Sequence, residues 1–285
     1  MHQINPEGEC RNDHWADMTE RWSHVGRPLK PGPDDIETFE RYAALANRAH
    51  ADEFRALLLG VTPEIAGCRW PSGVRLAAMD FSQSMIGKIW PARGTPPNSH
   101  VICANWLAMP VEAGCLDFVI GDGCHAAVRF PDDVAAVFRE VARVLRPDGM
   151  FVLRAFIRPA TGEGVDDIAR DFAAGRVGSV HVLKWRLFAA LCHDTQSGTP
   201  LGEVWTAWDR MRSSARWCGP GWTAAEMGTI EVYRGDNETR FYFPTFAELG
   251  ELASRYFRSQ QVSYGNYELA DRCPIIALTL PKAVS

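Results

Sequence analysis

The chain has 285 residues, 46% of them hydrophobic and 23% charged, which is the composition of an ordinary globular protein. Its formal net charge of −5, from 30 basic and 35 acidic residues, gives no basic excess of the kind that nucleic-acid-binding domains carry. The start of the sequence lacks the apolar core of a signal peptide, no apolar run has the length of a membrane span, and the eight cysteines include no Cys-x-x-Cys pair. We therefore expect a cytoplasmic protein with reduced thiols and with no membrane or nucleic-acid partner.

The first segment, residues 1–52, is predicted to be an N-terminal arm followed by a helix. Up to about residue 33 the sequence is polar and irregular, with prolines at positions 28, 31 and 33. From Asp34 the apolar residues recur at helical spacing, and two aspartates stand at the positive end of the predicted helix.

The second segment, residues 53–157, alternates short apolar runs with helical patterns. Five strands are predicted, over residues 54–61, 74–79, 101–104, 116–120 and 150–156. Helices are predicted to begin at Thr62-Pro63-Glu64, to cover residues 84–90, and to run to residue 145 from a cap at Asp132 or Asp133. This alternation predicts the parallel sheet of a doubly wound α/β domain with right-handed crossovers.

The third segment, residues 158–240, breaks the alternation and is predicted to be a helical insertion. Five of the ten tryptophans of the chain, including Trp217, lie between residues 185 and 222. This aromatic block is expected to be a lid that shapes a substrate pocket, or else simply to pack the helices of the insertion together.

The last segment, residues 241–285, is predicted to complete the sheet. Pro244-Thr245-Phe246-Ala247-Glu248 has the form of a capping box and opens a helix through residue 257. Two strands follow, near residues 261–264 and 275–280, and their short connection allows an antiparallel pair. The prediction is thus a mostly parallel, seven-stranded sheet with one antiparallel strand.

Candidate binding residues lie at the ends of the predicted strands, because open parallel sheets bind ligands beyond the carboxyl ends of their strands. The first strand leads into Gly60, and no Gly-x-Gly-x-x-Gly loop follows, which counts against a dinucleotide. Asp80 ends the second strand, where a carboxylate can accept both hydroxyls of a ribose. The alternative is that Asp80 only caps the helix that follows.

Three runs of the sequence stand in a distinctive order and spacing. They are residues 74–85 (VRLAAMDFSQSM), residues 105–110 (NWLAMP) leading into 116–120 (LDFVI), and residues 143–152 (RVLRPDGMFV). Together they resemble the motifs of the class I S-adenosylmethionine-dependent methyltransferases. The resemblance covers about residues 54–157 and implies a Rossmann-like fold, S-adenosylmethionine as the cofactor, and methyl transfer, for which we expect a small-molecule acceptor.

The resemblance also implies roles for individual residues. In that family the acid that matches Asp80 holds the ribose, the residues that match Asn105 and Trp106 lie along the adenine, and the first loop holds the methionine part. The expected cofactor-binding set, with two residues of the arm included, is Gly60, Val61, Thr62, Asp80, Phe81, Ser82, Met85, Asn105, Trp106, Leu107, Gly121, Trp22 and Arg27.

The first loop departs from the family pattern. The positions that usually carry an acid and two further glycines are Leu58, Thr62 and Glu64 in this chain. Glu64 either pairs with the ammonium of the cofactor's methionine end or only complements the dipole of the helix that it opens. Because a negative Glu64 would also oppose the cofactor's carboxylate, we expect a basic residue of the arm, Arg27 or Lys30, to bind that end.

Asp122 and His125 follow the fourth strand and are the candidate catalytic residues. Methyl transfer needs mainly proximity and orientation, and it needs a base only where the acceptor loses a proton. A neutral His125 can accept that proton, although a structural role is the commoner one for such a histidine. Cys192-His193 has no clustered partners, so no metal site is predicted.

Two further functions stay open from the sequence. The chain is either an active methyltransferase or a non-catalytic or regulatory protein that keeps the fold and binds the cofactor, and the unusual first loop favours the second. A nucleotide-dependent oxidoreductase is disfavoured by the missing glycines.

Overall fold

The fold is given by a computed structural model that describes residues 14–47, 53–214, 221–235 and 237–282. Residues 1–13 of the predicted arm and Trp217 of the aromatic block lie outside these residues. Within these four stretches, no helix combines the length and the hydropathy that crossing a bilayer requires.

The predicted central sheet is present. The strands are β1 (Arg55–Leu59), β2 (Arg75–Asp80), β3 (His100–Cys103), β4 (Leu116–Asp122), β5 (Leu145–Arg154), β6 (Thr199–Pro200), β7 (Arg240–Phe241), β8 (Phe257–Ser263) and β9 (Ile275–Pro281). Seven of them form one sheet in the order β3-β2-β1-β4-β5-β9-β8, while β6 pairs with β7. Strands β1 to β5 are parallel, and β9 is antiparallel to both β5 and β8. The predicted seven-stranded α/β fold is confirmed.

Helices flank this sheet and form the insertion. They are α1 (His14–Thr19), α2 (Pro33–Asn47), α3 (Pro63–Ala66), α4 (Gln83–Ile89), α5 (Asp132–Val144), α6 (Val165–Ala173), α7 (Val180–Leu191), α8 (Leu201–Ser214), α9 (Ala224–Glu231) and α10 (Phe246–Ser254). The sequence patterns did not predict α1, α6 and α9, and α3 is a single turn.

The boundaries of several elements differ from the prediction, and β5 in particular begins at Leu145 and not at residue 150. The N-cap of α5 is Pro131 and no side chain caps it, so Asp132 and Asp133 are first-turn residues instead of caps. Asp133 accepts a hydrogen bond from Arg129, whose Nε lies 3.0 Å from Oδ2. Strand β8 begins earlier than predicted because α10 already ends at Ser254.

Alternate residues of the central strands enter two apolar clusters on opposite faces of the sheet. Leu57 and Leu59 of β1 pack in the cluster that includes α5 and α10. Ala56 and Leu58 pack in the cluster that includes α2 and α3. Because both faces are covered, each strand reads as a continuous apolar run, and the carboxyl ends of the strands stay as the accessible edge.

The insertion has an apolar core of its own. Trp185 and Trp208 are 0% and 1% exposed and lie in a third cluster with residues of α6 to α9. Met18 and Val25 of the arm belong to the same cluster, so the arm packs against the insertion. These two tryptophans therefore fill the interior of the insertion, as the packing alternative predicts.

Candidate active site

Three predicted residues converge where β1 and β2 end. Gly60 has a φ of +95°, and both its backbone N–H and the indole Nε1 of Trp106 donate to the Met79 carbonyl at 2.7 Å. A Cβ atom placed on Gly60 would lie 3.9 Å from Asp80 Oδ2 and 4.0 Å from Trp106 Cζ2. Glycine suits this position because its φ is positive, and it leaves space beside a carboxylate and an aromatic ring.

Asp80 is not the N-cap of the helix that follows it. The N-cap of α4 is Ser82, whose Oγ accepts a hydrogen bond from the Met85 backbone N–H at 3.3 Å. Asp80 Oδ1 accepts from the Ser82 backbone N–H at 2.8 Å, which fixes the carboxylate at the end of β2. Phe81, between them, is 49% exposed, so it presents an aromatic face beside Asp80.

The remaining predicted residues of the sheet edge shape its backbone. Val61 and Thr62 are buried, as is Gly121, where an added Cβ would lie 2.7 Å from Cys124 Sγ. Asn105 Oδ1 accepts from the Leu107 backbone N–H at 2.9 Å, which closes a local turn.

Of the two basic residues of the arm that were expected at the first loop, one lies there. The Arg27 guanidinium lies over the Tyr267 ring, 5.3 Å from its centroid, whereas Lys30 Nζ is 3.1 Å from Glu64 Oε1. Trp22 is half-buried against the apolar cluster of α2 and α3, and its indole Nε1 has no hydrogen-bond partner. The structure thus brings Lys30, and not Arg27, to the first loop.

Asp122 is held by a buried arginine. Arg154 Nε is 2.6 Å from Asp122 Oδ1 and Nη2 is 3.1 Å from Oδ2, a bidentate pair. Burial lowers the pKa of Arg154, but the charge of Asp122, the smaller effects of Tyr267 and Cys273, and the hydrogen bond to Asp122 together hold that pKa well above its usual value. The carboxylate of Asp122 is therefore engaged by Arg154, although burial raises the pKa of Asp122.

Arg154 also connects the sheet to the arm. Its Nη1 donates to the Pro28 carbonyl at 3.0 Å and to Tyr267 Oη at 3.1 Å, and lies 3.7 Å from Asp35 Oδ2. We call this group of Arg154, Asp122, Asp35, Tyr267 and the Pro28 carbonyl the Arg154 hub. Sequence reasoning missed it, although a charged residue inside the apolar run of β5 is a signal that a buried partner exists.

His125 lies in a buried turn after β4. It is 1% exposed, and its Nε2 is 3.1 Å from the Phe156 carbonyl oxygen, while Nδ1 has no partner. Burial lowers the pKa of His125 to about 4, so the imidazole is neutral at pH 7. Its role as a base stays a prediction, and its contacts are those of a residue that holds the turn.

Two more buried groups lack partners near the arm. Both ring nitrogens of His181, in α7, have no hydrogen-bond partner, and a Cβ on Gly26 would lie 2.8 Å from His181 Cδ2. Glu64 Oε2 is likewise buried without a partner. Buried polar atoms without a hydrogen-bond partner are rare in folded proteins. The ring nitrogens of His181 and Oε2 of Glu64 therefore both call for an explanation.

A cleft of about 310 Å³ lies elsewhere, between α1 and α9. It is lined by Asp17, Glu20, Arg21, Glu231 and Val232, none of which is a predicted site residue. In the described ranges, no group of three or more His, Cys, Asp or Glu side chains is arranged to hold a metal ion.

Comparisons with known proteins agree with this geometry. Residues 61–153 match the sequence model of the family described as "Methyltransferase domain". No curated protein matches the chain. The matched residues run from the loop after β1 through β4 to β5, so they contain Asp80 and Trp106 of the sheet edge, and Gly60 directly precedes them.

Solved structures share the fold over most of the chain. A protein of Methanosarcina mazei, described as an S-adenosylmethionine-dependent methyltransferase, is 15% identical with a TM-score of 0.50, over 89% of this chain and 100% of that one. The N-methyltransferase NodS of Bradyrhizobium japonicum, solved with S-adenosyl-L-homocysteine, is 12% identical with a TM-score of 0.50, over 95% and 100%. A protein of Rhodobacter sphaeroides with a provisional description as a Zn-dependent alcohol dehydrogenase is 12% identical with a TM-score of 0.53, over 94% and 98%.

Similarity at these identities shows the fold alone, and the matched sequence model supplies the family. The cofactor of that family is S-adenosylmethionine, as predicted, and its activity is methyl transfer. Residues 61–153 therefore match a methyltransferase-domain family, and the chain has the fold of the class I S-adenosylmethionine-dependent methyltransferases.

Proposed function

We propose that this protein transfers a methyl group from S-adenosylmethionine to a small-molecule acceptor. The observation that carries the proposal is the convergence of Gly60, Asp80 and Trp106 at the carboxyl ends of β1 and β2. A glycine that leaves space, a fixed carboxylate and an aromatic ring suit a nucleoside without a phosphate, and the glycine-poor loop disfavours a pyrophosphate.

Different residues at this edge of the sheet bind different parts of the cofactor. Asp80 accepts hydrogen bonds from the ribose hydroxyls, and Phe81 and Trp106 flank the adenine with their rings. Gly60 lets the ligand approach the backbone of the first loop. When bound, the cofactor supplies an electrophilic methyl group on a sulfonium, and the chain contributes by orienting it and excluding water.

The proposal that the acceptor is a small molecule rests on the net charge of the chain and on the packing of the insertion. The net charge of −5 offers no general attraction for nucleic acid. The insertion packs against the arm through Met18 and Val25, and the arm in turn reaches Glu64 and the Arg154 hub. A sheet edge that the arm reaches in this way suits a small acceptor.

Asp80→Ala is expected to weaken the binding of S-adenosylhomocysteine by about 1.5–3 kcal/mol, the range for hydrogen bonds to a charged group. Titration calorimetry on the purified full chain measures this effect, and nicotinamide dinucleotides should show no comparable binding. The matched control is Asp148→Ala, because Asp148 is exposed near the start of β5, at the opposite edge. Equal affinity in the wild type and Asp80→Ala would remove Asp80 from the cofactor site.

A second candidate is a protein that binds the cofactor without catalysing transfer. This candidate is favoured because both candidate catalytic residues after β4 already have partners within the protein. Asp122 pairs with Arg154, and His125 bonds to the Phe156 backbone. Incubation with methyl-labelled cofactor and a library of hydroxyl, amine, thiol and carbon acceptors separates the two. Label in any acceptor supports the enzyme, whereas cofactor binding without transfer supports the second candidate.

His125→Ala is expected to lower turnover about 10²-fold with an acceptor that loses a proton, the low end for general acid–base catalysis. The low end applies because a base with a pKa of about 4 is weak at pH 7. Thermal unfolding of the same variant reports the loss of the buried contact with Phe156, about 1–3 kcal/mol. A loss of stability with unchanged turnover would leave His125 a purely structural residue.

A further inference from the structure

An ion pair joins the arm to the first loop. Lys30 Nζ lies 3.1 Å from Glu64 Oε1, and the two side chains are only 22% and 24% exposed. The two residues are far apart in sequence, so the pair exists only because the arm returns to the carboxyl edge of the sheet. Glu64 lies four residues after Gly60, in the first turn of α3, and its charge acts on Asp122 at the end of β4.

Glu64 has a second oxygen that the protein leaves unsatisfied. Oε2 is buried and has no hydrogen-bond donor within the described residues. A buried carboxylate oxygen without a donor is costly, so its retention calls for a reason outside the folded chain itself. The dipole alternative is weak, because α3 is a single turn and the Thr62 side chain makes no capping bond.

We propose that Lys30 and Glu64 form a clamp for the amino-acid end of the cofactor, with Glu64 Oε2 accepting from the ammonium and Lys30 Nζ donating to the carboxylate. The clamp rests on the function proposed above. An α-amino acid carries its two charges on one carbon, so they lie about as close together as the two charges of an ion pair. The four groups then alternate in sign around a closed, neutral ring.

This arrangement resolves the conflict that a lone Glu64 creates. A single carboxylate beside the cofactor would attract the ammonium but repel the carboxylate. Lys30 neutralises Glu64, and its ammonium carries three N–H donors, more than a single partner needs. The charged side chains thus do the work that backbone groups of a glycine-rich loop do elsewhere, and the glycines are dispensable.

The test compares two ligands that differ only at the amino-acid end of the thioether chain. S-adenosylhomocysteine carries the zwitterion, and 5′-methylthioadenosine has the same nucleoside and sulfur without it. Calorimetry on the full chain is run for the wild type, Glu64→Gln and Lys30→Met. Each variant is expected to bind S-adenosylhomocysteine about 10- to 100-fold more weakly while its affinity for 5′-methylthioadenosine stays the same.

Two further variants separate ligand binding from structural support. The swap Lys30→Glu with Glu64→Lys restores an ion pair between arm and loop but presents the charges in reversed positions. It should keep the thermal stability of the wild type and still bind S-adenosylhomocysteine weakly. Lys88→Met removes an exposed partner of Glu20 and should change neither affinity.

The outcomes are distinct. Loss of affinity for S-adenosylhomocysteine alone, not rescued by the swap, supports the clamp. An unchanged ratio of the two affinities in Glu64→Gln and Lys30→Met, or full rescue by the swap, overturns the clamp while the proposed function stands. A wild-type protein that binds neither compound overturns the proposed function and the clamp with it.

Discussion

Arg154→Met is expected to lower the free energy of unfolding by about 3–5 kcal/mol, the range for a buried charge left without its partner. Arg154 is fully buried, and its removal leaves the carboxylates of Asp122 and Asp35 without their shared cation. The Pro28 carbonyl and Tyr267 Oη each lose a donor as well. A loss of this size is a large part of the stability of a typical domain.

Urea unfolding of the full chain measures the effect, with two comparisons. Arg129→Met removes an exposed pair with Asp133 and should lower the free energy of unfolding far less than Arg154→Met does. The double variant Asp122→Asn with Arg154→Met should recover part of the loss, because one uncompensated charge is gone. If Arg154→Met costs no more than Arg129→Met, the Arg154 hub does not stabilise the fold.

Acidification from pH 6.5 to 4.5 is expected to destabilise the protein by up to roughly 5 kcal/mol through two buried histidines. Burial lowers the pKa of His125 to about 4, and burial with the charge of Lys184 lowers that of His181 to about 3. Both rings stay neutral in the folded chain over this window, whereas the unfolded chain binds a proton at each below pH 6.5. Stability is therefore unaffected above pH 6.5 and falls as pH drops below it.

Most carboxylates of the unfolded chain titrate near pH 4. The change in stability between pH 6.5 and 4.5 therefore reports mainly on the histidines. Other charges act on His181 too, since Glu226 raises its pKa and Lys30 lowers it. Asp122 works in the opposite direction, because burial raises its pKa, so the net loss lies below the sum of the two histidines.

Urea unfolding at half-unit pH intervals gives the slope. Because His181 accounts for about one of the protons taken up on unfolding, His181→Phe should lower this slope by close to 1.4 kcal/mol per pH unit. His100→Gln, at an exposed position in β3, serves as the control. A slope that His181→Phe leaves unchanged would show that His181 does not differ in protonation between the folded and unfolded chain.

Local periodicity was enough to predict the sheet. Strands β1, β2, β4 and β9 were placed within a few residues, because a strand covered on both faces reads as an unbroken apolar run. The carboxyl end of β2 identified Asp80 in the same way, since the position of a residue at the end of a strand is a local property. The capping box before α10 is local as well, and Thr245 and Glu248 form it.

Short or weakly patterned elements escaped prediction. Helix α6 has few residues and α9 has little amphipathic contrast, so neither stood out within the insertion. The start of α5 was misassigned because an aspartate suits a cap and a first turn equally well, and only the backbone at Pro131 distinguishes them.

The amino-acid sequence by itself determined the parallel sheet, the glycine-poor loop after β1 and the carboxylate at the end of β2. Only the tertiary structure decided which arm residue meets Glu64, that Asp122 is held by Arg154, and that His125 is buried against the Phe156 backbone. The physical reason is the separation along the chain of the residues that interact. Periodicity and caps act over one or two turns of chain, whereas these pairings join distant segments and depend on how the arm, sheet and insertion pack together.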